Sequence, residues 1–438
     1  MVNMVLARWL YCLVLYLAVP LVWLRLILRT RKQPAYGEYR WERWGFYPTK
    51  SASKPLIWVH AVSVGETRAA EPLILALQKT YPDYDILLTG MTPTGRAAGL
   101  QCFGPGTQTA GRVFQAYLPY DYPGAVSRFL RHFQPQLGLL METELWPNLM
   151  ASCSQGKIPV ALVNARLSER SARGYQRFSA LTEPAFQKLM CVAAQTEADA
   201  SRLRASGAPN VTVCGNLKFD VTPAPEKLAL GKEWLKQIGL SCGLRSRPVW
   251  LAASTREGEE ADLLAEHRAI LAQRPDALCI LVPRHPQRFA AVAALATESG
   301  LKVAHRSQQL PATDTQVWLG DSMGEMAAYY AASDIAIIGG SWQPLGGQNL
   351  IEAAACGCPV VVGPHTFNFT QATADAIAAN AAIRLADTSA IAPTLLSFWT
   401  QPEQQATMRS AAEKFTAQHQ GATQRILATI AGIIPPLH

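Results

Sequence analysis

The sequence predicts an α/β protein of two parallel-sheet domains behind an apolar N-terminal helix. Three observations carry that prediction. The chain has 438 residues, more than one ordinary core organises. From about residue 56, short apolar runs alternate with helix-length amphipathic stretches, the pattern of strands buried between helices. The alternation breaks once, at the charged, proline-containing stretch DVTPAPEKLALGKEWLKQ (220–237), and then restarts.

The N-terminal element runs from Trp9 to Leu24, sixteen uncharged residues between Arg8 and Arg25. As a helix it is about 24 Å long, short of a ~30 Å hydrocarbon core. Continuing to Leu28 with Arg25 snorkelling closes the gap. Pro20 is placed to kink it, so a deeply seated, partly spanning anchor is the alternative. No small-x-small cleavage site follows, which argues for an uncleaved anchor over a signal peptide. Positive charge beyond the apolar run holds that side in the cytoplasm. Residues 1–35 are therefore expected to be a membrane anchor and the body cytoplasmic. The Trp and Tyr residues between 36 and 47 suit a membrane interface or ordinary packing.

The first strand set is PLIWVHAV, DILLTG, LGLLME, PVALVNA, CVAAQT and VTVCGN, with helices between them such as 67–80 and 124–133. The second is PVWLAAS, LCILVPR, QVWLGD, DIAIIGG and PVVVGP. Domains of 36–220 and 221–438 follow, facing across a cleft. The stretch from Thr407 reads as helices that end at Pro435-Pro436 and pack back on the first domain. Nine cysteines without a CxxC pair suggest neither a disulfide framework nor a zinc site. Residues 1–220 carry 24 Lys/Arg against 14 Asp/Glu, and the remainder 16 against 18, so the first half is suited to something anionic. Six of those cations lie between Arg25 and Arg43 and are accounted for equally by a membrane-proximal segment. No zinc-finger, RNP or basic-helix pattern points to nucleic acid.

In open α/β sheets ligands bind beyond the carboxyl ends of the strands, so residues there are the candidates. Ser63 and Glu66 have the S-x-x-E spacing of a capping box, and a carboxylate at a β–α turn is equally placed to act as a base. Glu142 and Glu144, two apart, would share a face on a strand, yet no clustered His or Asp joins them and no metal is inferred. Lys218 and Arg284 are cations fit for phosphate or carboxylate; alone, either is more commonly a solvated charge. His285 and His365 are catalytic candidates, although a His beside Pro is more often structural. Gly346-Gly347-Gln348-Asn349 opens the helix-forming LIEAAA, a start able to bind an anion, with Glu352 one turn in to meet ribose hydroxyls or favour the dipole. Neither GxGxxG in dinucleotide spacing nor GxxxxGK[ST] occurs, which disfavours dehydrogenases and P-loop enzymes.

HAVSVGE, METELWPN, NARLS, GNLKFD, LVPRHPQRF and GGQNLIEAAACGCPVVVGPHTFNF together resemble the bacterial 3-deoxy-D-manno-octulosonic acid (Kdo) transferases, over essentially the whole chain. The resemblance implies the GT-B fold, two Rossmann-like domains facing across a cleft. It implies work at the inner membrane: inverting transfer of Kdo from CMP-Kdo to the lipid A precursor (lipid IVA), with no metal and no cofactor. Glu66 then matches the general base, and Glu142 a functionally important acid. Lys218, Arg284, Asn349 and Glu352 match residues that hold the CMP moiety, and His285, Gly346 and Gly347 belong to the same donor-binding motifs. Gln348 departs from the His of many members and cannot carry positive charge. The expected partners are CMP-Kdo, lipid IVA and inner-membrane lipid. The rivals are a GT-B enzyme moving a sugar from a UDP donor to a lipid-linked acceptor, and a non-catalytic sugar-nucleotide or lipid-binding protein.

Overall fold

The computed structural model describes residues 2–48, 54–107, 109–241 and 247–434. Pro435-Pro436, where the sequence ends its last helix, lie outside the described residues. The chain forms two compact units, Met1–Val221 with Gln420–His438, and Thr222–His419.

Among the described residues the first unit holds seven parallel strands: β1 (Leu56–His60), β2 (Asp85–Gly90), β3 (Val113–Tyr117), β4 (Leu137–Met141), β5 (Val160–Ala165), β6 (Cys191–Ala194) and β7 (Val211–Val213). Their order is β3-β2-β1-β4-β5-β6-β7. Alternation along each strand supplies two cores. Leu56, Trp58, Leu87, Leu140 and Leu162 meet Val126 and Phe129 on one face. Ile57, Val59, Ile86, Leu139 and Val163 meet Leu73 and Leu77 of helix Val64–Thr80 on the other, together with Ile426 and Ile430. The latter two come from helix Ala422–Ile430, so the end of the chain completes the first unit's core.

The second unit holds β8 (Val249–Thr255), β9 (Leu278–Pro283), β10 (Val303–His305), β11 (Val317–Leu319), β12 (Ile335–Ile338), β13 (Val360–Val362) and β14 (Ala382–Arg384). They are parallel, ordered β10-β11-β9-β8-β12-β13-β14. The stretch 220–237, read as a divider, contributes a helix of this unit, Pro225–Ser241, whose buried Trp234 packs edge-on to Trp318.

Three strands escaped the sequence reading: β3, β10 and β14. All three are sheet edges, and only part of each is buried. An edge strand has one solvated side and lacks the continuous apolar run that marks a central parallel strand.

The apolar N-terminus forms two helices, Val2–Leu17 and Val19–Lys32, bent by 48° with Pro20 in the first turn of the second. Among the described residues no single helix is long and apolar enough to cross a membrane; the bent pair passes that test by length and composition only. One face of the pair is packed. The Tyr11 hydroxyl donates to Asp121 Oδ2 (3.0 Å) and the Tyr122 hydroxyl to the Leu15 carbonyl (3.0 Å). Trp23 stacks on Trp44 at 5.4 Å, and Trp44 on Tyr122 at 5.3 Å. The other face leaves Trp9, Leu13, Leu17, Leu21 and Leu24 more than half exposed. The aromatic stretch 36–47 divides likewise: Trp44 and Tyr47 pack inward, whereas Tyr39, Trp41 and Phe46 are exposed.

Candidate active site

In the first unit, Ser63 caps helix Val64–Thr80, its Oγ accepting the Glu66 N–H (3.3 Å). Glu66 reaches back, one oxygen accepting from the Val62 N–H (2.9 Å) and the other from the Ser63 hydroxyl (2.8 Å). The capping arrangement is therefore present, shifted by one backbone amide from the usual box. Capping does not make the carboxylate an ordinary one. Burial pushes its pKa up to about 7, the charge of Glu142 and more weakly that of Glu144 add to the rise, and the two hydrogen bonds only partly oppose it.

Glu142 and Glu144 do not lie on a common strand face. β4 ends at Met141, and Glu142 turns into left-handed backbone with φ +55°, its N–H donating to the Val163 carbonyl (3.1 Å). The two carboxylates consequently have different partners. Glu142 Oε1 lies 3.5 Å from Lys218 Nζ, whereas Glu144 accepts from Trp146 Nε1 (3.0 Å). Burial also raises the Glu144 pKa, with Glu142 adding to it. Among the described residues no group of three or more His, Cys, Asp or Glu side chains could hold a metal ion. Neighbouring His60 is fully buried at the end of β1, with Nδ1 2.9 Å from Thr89 Oγ1, and desolvation lowers its pKa to about 3, so it stays neutral.

In the second unit, Arg284 follows β9 and its N–H donates to the Thr255 carbonyl (3.0 Å). Its Nε donates to Gln348 Oε1 (3.2 Å), so Gln348 orients the guanidinium by a hydrogen bond that needs no charge of its own. His285 is exposed. Partial desolvation lowers its pKa, and the charges of Arg256, Arg284 and Arg288 lower it further, which marks a concentration of positive charge after β8 and β9. Arg288 within it is paired with the buried Glu260. His365 has its N–H on the Ser341 carbonyl (3.0 Å).

Gly346 and Gly347 both adopt positive φ, +88° and +77°, and a Cβ on Gly346 would come within 2.5 Å of the Asn368 side chain. The chain closes on itself here, the Gly347 N–H donating to the Gly340 carbonyl (2.7 Å) and the Gln348 N–H to that of Gly339 (3.0 Å). Helix Ile351–Ala355 is only five residues long. Asn349 takes up one of its first amides, Oδ1 accepting from Ile351 N–H (3.1 Å), while its Nδ2 donates to Glu352 Oε1 (3.1 Å). Asn349 and Glu352 thus form one polar pair, and the helix start offers less free amide than LIEAAA suggests.

The sequence reading gave Glu259 no role. It is fully buried, and its two oxygens accept from the N–H groups of Arg256 (2.8 Å), Gly340 (2.8 Å) and Trp342 (3.1 Å). A buried carboxylate satisfied by three amides is an internal anion that sets the loops after β8 and β12. The only cue in the sequence was GEE just before a helix, indistinguishable from acidic residues favouring a helix dipole.

The first unit by itself offers a carboxylate that burial leaves able to take up a proton near neutrality, and the second by itself an arginine cluster beside a glycine-built loop. The comparisons place the protein among the glycosyltransferases. The family model described as "3-Deoxy-D-manno-octulosonic-acid transferase (kdotransferase)" matches residues 38–221, and "Glycosyl transferases group 1" matches 261–415. The 3-deoxy-D-manno-octulosonic acid transferase of Bordetella pertussis is 45% identical over 96% of this chain and 98% of its own. That of Haemophilus influenzae is 37% identical over 96% and 97%. The chain belongs to the Kdo transferase family. A glycosyltransferase structure from Rickettsia africae, at 13% identity and TM-score 0.58 over 88% of this chain and all of its own, shares the fold, consistent with GT-B.

Proposed function

We propose that this enzyme transfers Kdo from CMP-Kdo to the phosphorylated, membrane-held lipid A precursor lipid IVA, with inversion and with Glu66 as general base. The observation that carries the reading is Glu66, a carboxylate at a strand end with a pKa near 7, fixed by the Val62 amide and the Ser63 hydroxyl. An acceptor hydroxyl attacks the anomeric carbon, its proton passes to Glu66, and the bond from that carbon to the phosphate oxygen breaks as CMP departs. Glu142 is the second carboxylate of the acceptor side. Arg284, with the Asn349–Glu352 pair and the Gly346-Gly347 turn, holds the donor, and the permanent charges of Arg284 and Lys218 favour the anionic leaving group. His285 belongs to the same donor-side surface, in its neutral form.

The test is transfer of labelled Kdo from CMP-Kdo generated in situ to a tetraacylated, bisphosphorylated precursor in detergent, with chelator present and products counted by mass. Transfer is expected, and the mass gives the number of Kdo units added. Failure on this acceptor removes the assignment, and transfer from a UDP-sugar instead replaces the donor.

We also propose that the exposed apolar face of the N-terminal helix pair seats the enzyme on the cytoplasmic side of the inner membrane, with Arg25, Arg29, Arg31 and Lys32 at the anionic headgroups. Trp9, Leu17 and Leu21, 71%, 71% and 68% exposed, motivate this. Wild type is expected to float with vesicles containing phosphatidylglycerol, and a W9E/L17E/L21E variant to stay in the soluble fraction with its fold intact. Equal flotation of the two would overturn the placement.

A further inference from the structure

Asn164 sits at the end of β5 with φ +50°, left-handed backbone that Asn tolerates better than most residues. The register between β5 and β6 shifts between Leu162 and Ala165, the span that contains Asn164. Its side chain is fully buried. Oδ1 accepts the Leu217 N–H (3.0 Å), and the Asn164 carbonyl accepts from Gln195 Nε2 (2.9 Å). Its Nδ2 is buried without a hydrogen-bond partner among the described residues. Leu217 opens the short turn Leu217–Asp220, whose next residue, Lys218, places Nζ 3.5 Å from Glu142 Oε1. Just past the end of the neighbouring strand β4, the Glu142 N–H donates to the carbonyl of Val163, the residue before Asn164. One side chain therefore ties together the end of β5, which receives Glu142, and the turn that presents Lys218.

We infer that Asn164 is a positioning residue of the transfer reaction: by holding the Leu217 amide it fixes Lys218 against Glu142. The inference rests on the proposed acceptor-side role of Glu142. A misplaced Lys218 leaves Glu142 without its counter-charge beside Glu66, so the cost falls on the chemical step more than on ground-state binding.

The experiment is a double-mutant cycle of Asn164→Gly and Lys218→Met, read in the transfer assay and by amide hydrogen exchange. Glycine keeps the left-handed backbone without strain and removes only the side chain. Asn164→Gly is expected to lower kcat about 10- to 100-fold, with KM for donor and acceptor changed less than about threefold. On the Lys218→Met background the same change is expected to cost less than about twofold more, because both variants break one linkage. Should the glycine variant fail to fold, Asn164→Asp is the second variant: it keeps the oxygen that accepts the Leu217 N–H, so slow Leu217 exchange is expected to survive in it, and fast exchange in a folded Asp variant would overturn the inference. Effects that multiply independently, or full activity of Asn164→Gly, would overturn the inference. Exchange of the Leu217 amide is expected to accelerate at least tenfold in Asn164→Gly, and this needs no substrate. If wild type transfers no Kdo, the proposed reaction fails while the exchange still decides the linkage; unchanged exchange rejects the linkage whatever the substrate.

Discussion

Glu66→Gln is expected to lower kcat by about 10²- to 10⁴-fold, the range associated with removing a general base, while KM for both substrates stays within a few-fold. The glutamine fits the same place. Its oxygen accepts from the Val62 amide and its NH₂ donates to Ser63 Oγ, so the helix remains capped and the loss reads as chemistry. The wild-type rate is expected to fall tenfold per pH unit below about 7, where Glu66 becomes protonated, and the variant to lack that limb. Stability is expected to move the other way. Folding raises the Glu66 pKa from 4.5 to about 7, so protonated Glu66 is favoured in the folded state. The associated stability is present below pH 4.5 and is lost as pH rises through 7. Glutamine does not titrate and is spared that loss. Scanning calorimetry at pH 8 is expected to give the variant the higher Tm, by a margin on the order of a few degrees that closes toward pH 4.5. A glutamine variant as active as wild type would reduce Glu66 to a helix cap and make Glu142 the next candidate base.

Arg284→Ala is expected to lower kcat/KM for the donor by about 10²- to 10³-fold, the cost of removing a preorganised charge from a developing anion. Arg284→Lys is not expected to restore it. A lysine places a single point charge where the planar guanidinium donates Nε–H to Gln348. The decisive comparison is CMP affinity by calorimetry beside steady-state kinetics. Both are expected to weaken, kinetics the more, since the leaving group gains charge as the bond breaks. Arginine and lysine variants with wild-type kinetics would remove Arg284 from the donor site.

How much of this could be read from the residues depends on how far each signal is local. The central strands β1, β4, β5, β8 and β12 announce themselves because both faces are buried and almost every residue is apolar. The edge strands β3, β10 and β14 do not, β10 having only Ala304 buried, whereas the edge strand β7 is marked by its β-branched run VTV. The candidate residues stand where the strand-end rule puts them, yet their partners are set by contacts between distant segments. Nothing in METEL says that Glu142 turns left-handed toward Lys218 while Glu144 goes to Trp146. Nothing in STREGEE says that Glu259 gathers amides from residues more than eighty positions away. Spacing identifies what a residue can do by itself, whereas pKa and orientation depend on which segments the fold brings beside it.

The C-terminal helix has a consequence for the order in which the protein is finished. Ile426 and Ile430 fill the sheet face that Leu73 and Leu77 also cover, and the carboxylate of Asp220 accepts the Gly421 and Thr423 N–H groups that begin the helix. Residues 222–419 are thus an insertion within the first unit, which the chain leaves at Val221 and re-enters at Gln420. A ribosome has made the apolar leading helices, the carboxylates and the seven strands of that unit long before it supplies the segment that seals their core. During the interval the second unit is contiguous and free to fold, while the first exposes an unsealed apolar flank. A nascent chain stalled before residue 420 therefore has an incomplete first unit.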